Sequence, residues 1–347
     1  KVKDITENSA VLYWDEEKSP YISEYRIYTS TTGSPEPDSL IYEAGPGVDT
    51  EYLIENLIEY CDYRFICMAI DSFNNEYLSA NLDIRTLPPA GMKLIPPGEF
   101  SMGYAEGYSS NQPPHRVKLS SFWMDSVEVT VDNFTGFGGV LPGDLSCGNC
   151  PVDSINMYKA MLYCNERSKA YGLDTVYKYV GMEVFNNAEA VLFNCEKLLD
   201  ASGFRLPTEA EWEYAYRAGE YFKQYIWGDS RQDMTSYCWC PENSEGALHE
   251  TGNFSPNGYG LYDMAGNALE MCGDLFEENY YTKSDTINPD NYKMCIFECP
   301  YVCRGGSVIS YGEEHSYWYR NNTQVSLKAK KYTGFRCVRN RRNRRSK

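Results

Sequence analysis

The chain has 347 residues, 42% hydrophobic and 15% aromatic, with a formal net charge of −17. That length suits two domains of ordinary size, and no apolar run approaches the roughly 18 residues of a membrane span. With the six basic groups of residues 339–347 set aside, 26 basic groups face 49 acidic ones and leave −23, a body that repels nucleic acid backbones.

Residues 1–86 alternate short apolar segments with turns. Candidate strands lie at 10–14, 25–30, 39–44, 51–57, 63–71 and 82–86, a spacing that predicts an all-β sandwich. Trp14 falls on an early strand as a core aromatic. Tyr63 follows Leu57 by six residues and opens the strand carrying Phe65, Cys67 and Ala69 at period two. It resembles the tyrosine corner of fibronectin type III domains, so a fibronectin type III-like domain is expected over 1–86. The proline-rich LPPAG at 87–91 is a short, stiff link. A second domain is expected over 92–339, then a basic tail at 340–347. In that domain Thr130 can cap a first helix, and a second over about 154–170 carries Ile155, Ala160, Met161 and Cys164 on one face. A third starts at Thr208, where Thr208 and Glu211 form a capping box. The remainder is rich in Gly, Asn, Asp and Pro, with brief strands.

Thirteen cysteines include Cys61 and Cys67 in the first domain. These two lie on one strand, diverge along it, and cannot bridge each other. The rest include Cys147 with Cys150, Cys238 with Cys240, and Cys295, Cys299 and Cys303. A zinc site from the CGNC pair plus the trio is one reading. The trio's spacing suits no compact zinc knuckle, so disulfides of an exported domain are the expectation. The chain opens on Lys1 without a leader, which fits a trimmed product, secreted or at a cell surface or in a periplasm.

Four blocks occur in order: GFRLPTEAEWEYAYR at 203–217, PNGYGLYDMAGNALE at 256–270, RGGS at 304–307 and GFRC at 334–337. Together with MKLIPPGEFSMG and HRVKLSSFWMDSVEVTVDNF upstream, they resemble the formylglycine-generating enzyme family, also called sulfatase-modifying factors. The resemblance covers roughly residues 90–339 and implies a loop-rich α+β domain of C-type-lectin-like fold. It implies a reaction too, the oxidation of a sulfatase cysteine to formylglycine by copper(I) held between two cysteines. One cysteine stands three residues after the Ser of GGS and the other five residues later. Here those positions are Ser310 and His315. A hydroxyl is too hard and too weakly acidic to replace a thiolate on a soft ion, and one imidazole does not make the site. No copper and no catalytic residue are therefore expected. The iron site of the related sulfoxide synthases is not expected either, because His115, His249 and His315 are the whole histidine complement.

The resemblance also implies one structural calcium site, with side-chain oxygens from Asp263 and Glu270 and carbonyls from Gly266 and Ala268. The family's second calcium site has no clear counterpart. The segment 308–333 offers contact chemistry instead, because Tyr311, His315, Tyr317, Trp318, Tyr319, Arg320, Asn321 and Asn322 crowd twelve residues. Tyr311, Glu313, His315, Tyr317, Tyr319 and Asn321 are the candidate ligand contacts, and by period two about half of the crowded set faces solvent. The RGGS-to-GFR bracket resembles the variable ligand-binding face of proteins diversified by retroelements. The expected function is non-catalytic ligand binding or adhesion with a protein or glycan partner. The alternative is a sulfatase-modifying-type oxidase, or another enzyme, in the same groove.

Overall fold

The computed structural model describes residues 1–14, 21–31, 39–45, 51–55, 57–143, 147–220, 223–295, 299–325 and 327–341. The basic run beyond Arg341 lies outside these. The chain divides into two compact units, Lys1–Ala90 and Gly91–Arg341.

In the first unit, Val2–Lys3, Ala10–Tyr13 and Glu51–Ile54 form one antiparallel sheet. Ser39–Ala44, Ile22–Thr31 and Asp62–Asp71 form a second, with Glu76–Leu78 and Leu82–Arg85 both paired to Asp62–Asp71. Alternation puts Leu12, Ile27, Ile54, Phe65 and Ile84 into one shared core. The Tyr63 hydroxyl accepts the Ile58 N–H at 2.7 Å, tying the strand to the loop before it. Trp14 is half-buried, resting on Tyr25 and Tyr42 at the edge of that core. The strands Val2–Lys3 and Glu76–Leu78 were not expected, being too short to show a period. Cys61 and Cys67 are separate thiols.

In the second unit, strands at its two ends flank one central strand. The sheet order is Phe204–Arg205, Val338–Asn340, Phe122–Asp125, Met92–Ile95. A second four-stranded sheet runs Asn321–Val325, Pro300–Arg304, Leu269–Leu275, Thr333–Gly334, the last pair parallel. Leu269–Leu275 leaves the 263–268 loop, and Pro300–Arg304 leads into the RGGS turn. Pairing these strands brings loop and turn together, with Gly266 N–H donating to Gly305 O and Val308 N–H to Asn267 O, each at 2.9 Å.

Helix α1 (Val131–Gly136) is capped by the Thr130 side chain, which accepts the Asn133 N–H. Helix α2 (Met157–Ala170) begins later than 154 because Asn156 caps it, its side-chain oxygen accepting the Lys159 N–H. Helix α3 (Glu209–Arg217) carries the Thr208–Glu211 capping box and is buried along its whole length. Cys147–Cys150 and Cys295–Cys299 are disulfides, while Cys303 is a buried free thiol. Among the described residues, no three His, Cys, Asp or Glu side chains converge as a metal group. Nor, among the described residues, is any helix long and apolar enough to cross a membrane.

Candidate functional site

The RGGS turn is anchored from below. Arg304 is fully buried and bonds Glu209 and Glu213 of α3, the Tyr281 hydroxyl and the Tyr317 carbonyl. Arg320 pairs with Glu209 beside it. Removing one member of such a buried network leaves an unpaired charge, a loss of about 3–5 kcal/mol. Gly306 has φ +70°, and a Cβ there would press the His315 ring and the Glu314 carbonyl at 3.0–3.1 Å. The turn therefore needs glycine at this position.

Above this anchor stand Ser310 and His315, both buried. The Ser310 and Ser307 hydroxyls lie 3.3 Å apart. The His315 Nδ1 is 3.4 Å from the Gly312 carbonyl, and its Nε2 has no hydrogen-bond partner. Burial depresses the imidazole below its usual range. The turn thus offers a hydroxyl pair and an imidazole where the family carries paired thiols.

The contact segment is more buried than period two predicts. Tyr311 is 66% exposed, Glu313, Tyr319 and Asn321 are half-buried, and His315, Tyr317, Trp318 and Arg320 are buried. The reason is local: Gly312–His315 is a 3₁₀ turn, and strand geometry begins only at Asn321. Tyr317 lies under the Arg217 guanidinium at 3.5 Å, and Trp318 stacks on Tyr104 at 5.1 Å. Residues from elsewhere complete this face. The Tyr108 hydroxyl donates to Glu313, and its ring meets Trp318 and Tyr319. Arg231 lies against the Gly312 backbone. Tyr104, Tyr108 and Arg231 escaped sequence reading; the GYAEGY run at 103–108 was their one visible signal. A cleft of about 150 Å³ at the end of α3, lined in part by Tyr225 and Asn257, is below the roughly 300–1,000 Å³ of small-molecule sites.

The candidate calcium loop has its own geometry. Gly266 has φ +77°, and a Cβ there would strike the Trp239 carbonyl at 2.2 Å. Asp263 accepts the Gly252 N–H at 2.6 Å. Glu270 is engaged at both oxygens, by Arg336 at 2.6 and 2.8 Å and by the Trp212 indole at 2.8 Å. Glu128, which sequence reading did not name, is buried beside them. One of its oxygens accepts the Ala268 N–H at 3.2 Å and the other has no partner. Burial first, then Asp263 and Glu270, push Glu128 well above the usual carboxylate range. Three buried carboxyls thus share one arginine. The three do not converge as a preformed metal group; the feature that suits a hard dication is the orphaned buried oxygen of Glu128 beside Asp263 and Glu270.

The similarities to known proteins run along the same unit. The formylglycine-generating enzyme of Streptomyces coelicolor is 28% identical over 294 residues, covering 72% of this chain and 88% of that one. The serine/threonine-protein kinase pkn1 of Chlamydia pneumoniae is 27% identical over 251 residues, covering 72% of this chain; the chain spans only 38% of that relative's length. Among solved structures, Treponema denticola variable protein 1 superposes with a TM-score of 0.61 at 27% identity, covering 76% of this chain and 98% of that one. Residues 80–341 match the sulfatase-modifying factor enzyme 1-like domain, and the chain belongs to that family.

Proposed function

We propose that this protein is a non-catalytic ligand-binding or adhesion protein, whose family scaffold presents the 308–333 segment to a protein or glycan. The observation that carries the reading is the pair Ser310 and His315 at the positions of the family's copper-binding thiols. Neither side chain supplies the soft anionic sulfur that copper(I) needs, and both are buried by their own turn. Similarity to a variable protein of Treponema denticola supports the binding reading, and variation of this segment by a retroelement is part of the proposal. So are a C-type-lectin-like description of the second unit, a fibronectin type III-like one for the first, and an exported location. The Tyr63 hydroxyl tie supports the fibronectin-like description. One structural calcium is proposed, held by Asp263, Glu270 and the Gly266 and Ala268 carbonyls, with Glu128 as a further oxygen. When bound it supplies charge balance and loop rigidity, not reaction chemistry. The strongly acidic body disfavours nucleic acid as a partner.

The alternative, an oxidase of the sulfatase-modifying type, is favoured by the 28% identity to the Streptomyces enzyme. One experiment separates the two. The protein is incubated with copper(I), oxygen and a cysteine-bearing sulfatase peptide, and the peptide is weighed by mass spectrometry. An unchanged mass is expected. A fall by the thiol-to-aldehyde difference would overturn the binding reading.

A further inference from the structure

The Cys147–Cys150 disulfide joins cysteines three positions apart, in the run CGNC. Its two sulfurs are placed unequally. Cys147 is half-buried, whereas Cys150 is only 8% exposed. A Cβ at Gly148 would strike the Asp132 carboxylate at 2.4–2.6 Å, so the residue next to Cys147 adds no side chain there. A thiolate arriving from solvent therefore meets the Cys147 sulfur first. The buried sulfur has an acceptor for the proton it would gain. It lies 3.6 Å from the Leu248 carbonyl, which can accept from a Cys150 thiol once the bridge is open.

The turn does not depend on the bridge for its shape. Cys150 N–H donates to Cys147 O at 3.3 Å and closes the turn from within. Val131 N–H donates to Cys150 O and Asp132 N–H to Gly148 O, each at 2.9 Å, and Thr251 N–H donates to Asn149 O at 3.0 Å. All four bonds are backbone to backbone, so opening the bridge leaves them in place. A bridge over so short a loop also restrains the unfolded chain less than one over a long loop. The pair can thus open and close on one backbone, with the outer sulfur reachable and the inner one held beneath it.

We propose that Cys147 and Cys150 form a thiol–disulfide exchange site, which takes electrons from dithiols and passes them to disulfides. In the first half, one thiolate of a partner dithiol attacks the Cys147 sulfur. The Cys147–Cys150 bond breaks, and its electron pair leaves on Cys150, which takes up a proton. The partner's second thiolate then attacks its own sulfur in the mixed disulfide, and Cys147 leaves and is protonated. The protein gains two electrons and two protons, and the partner loses them. Run in reverse against a disulfide, the same steps restore the bridge. This site goes beyond the ligand-binding reading and lies on a different loop.

The test adds the full chain to insulin and dithiothreitol and follows precipitation of the reduced insulin by turbidity. Faster precipitation than with dithiothreitol alone is expected, and the gain should vanish in the double variant Cys147→Ser, Cys150→Ser, which keeps every other cysteine. No acceleration by the parent chain would overturn the proposal. So would acceleration that survives in the double variant, since another cysteine would then carry the exchange. The single variants test the order of attack. In Cys150→Ser the Cys147 thiol should react with dipyridyl disulfide about tenfold faster than the Cys150 thiol does in Cys147→Ser, because reactivity follows access. Peptide mass mapping places the label and separates it from the other thiols. Equal rates would remove the assigned roles and the proposal with them. Where a variant fails to fold, the parent chain decides: quenched with iodoacetamide during turnover, it should carry the alkyl group on both Cys147 and Cys150, and a bridge still closed would overturn the proposal.

Discussion

Asp274 is a buried carboxyl with two backbone donors, Glu209 N–H at 2.8 Å and Asn291 N–H at 2.9 Å. Burial first, then the charge of Asp290, push it up to about 7, although Lys197 pulls the other way. In the unfolded chain an aspartate titrates near 4. Between those values the folded state binds the extra proton, so stability is fully present below about 4 and is lost as pH rises through about 7. Melting temperature, corrected for the slope of an Asp274→Asn variant, should fall across that window, and the variant should be flatter there. An equally steep slope in the variant would remove Asp274 from the account. At this scale the sequence reveals some residues and hides others. Asp263 and Glu270 are singled out through the resemblance of the DMAGNALE block to the family. Glu128 is one acid in an EVT run, and its importance comes from three distant segments meeting around it.

Helix and turn boundaries follow rules of differing reach. The Thr208–Glu211 box reads directly from spacing, because both partners lie within one helical turn. The start of α2 is set by Asn156, which sequence periodicity overran. The turn at 312–315 defeats period two for a different reason: Gly312 takes φ +53° and folds His315 beneath its own backbone, leaving Tyr317 and Trp318 to pack inward. The 263–268 loop is the element on which the calcium proposal depends. Its three neighbouring carboxyls, Glu128, Asp263 and Glu270, face one guanidinium, that of Arg336. Calcium should therefore raise the melting temperature and a chelator lower it, with tenfold steps in excess calcium adding about 1.4 kcal/mol each. Glu128→Gln should diminish the calcium-dependent shift while leaving stability without the ion little changed, since burial and its acidic neighbours already hold that carboxyl toward its neutral form. A melting temperature indifferent to calcium in the parent chain would contradict the site.

Across the whole molecule, two kinds of information separate. The scaffold of the second unit is legible from short ordered blocks, because each block performs a fixed packing task. RGGS supplies the arginine under α3 and the glycines of the turn, and GFRC supplies Arg336 against Glu270. The first unit is legible from alternation alone, apart from its two shortest strands. The face of the 308–333 segment is legible only in part: Glu313 and Tyr319 fall within the segment itself, whereas Tyr104, Tyr108 and Arg231 join it only after folding. The central proposal concerns the place where scaffold and chemistry part company: with Ser310 and His315 at the family's thiol positions, the turn from Ser307 to His315 is proposed not to hold copper(I). Anomalous X-ray diffraction at the copper edge, on crystals grown with copper(I), tests it most directly. We predict no copper peak within bonding distance of Ser310 or His315; an ordered copper ion bonded to either side chain would contradict the account.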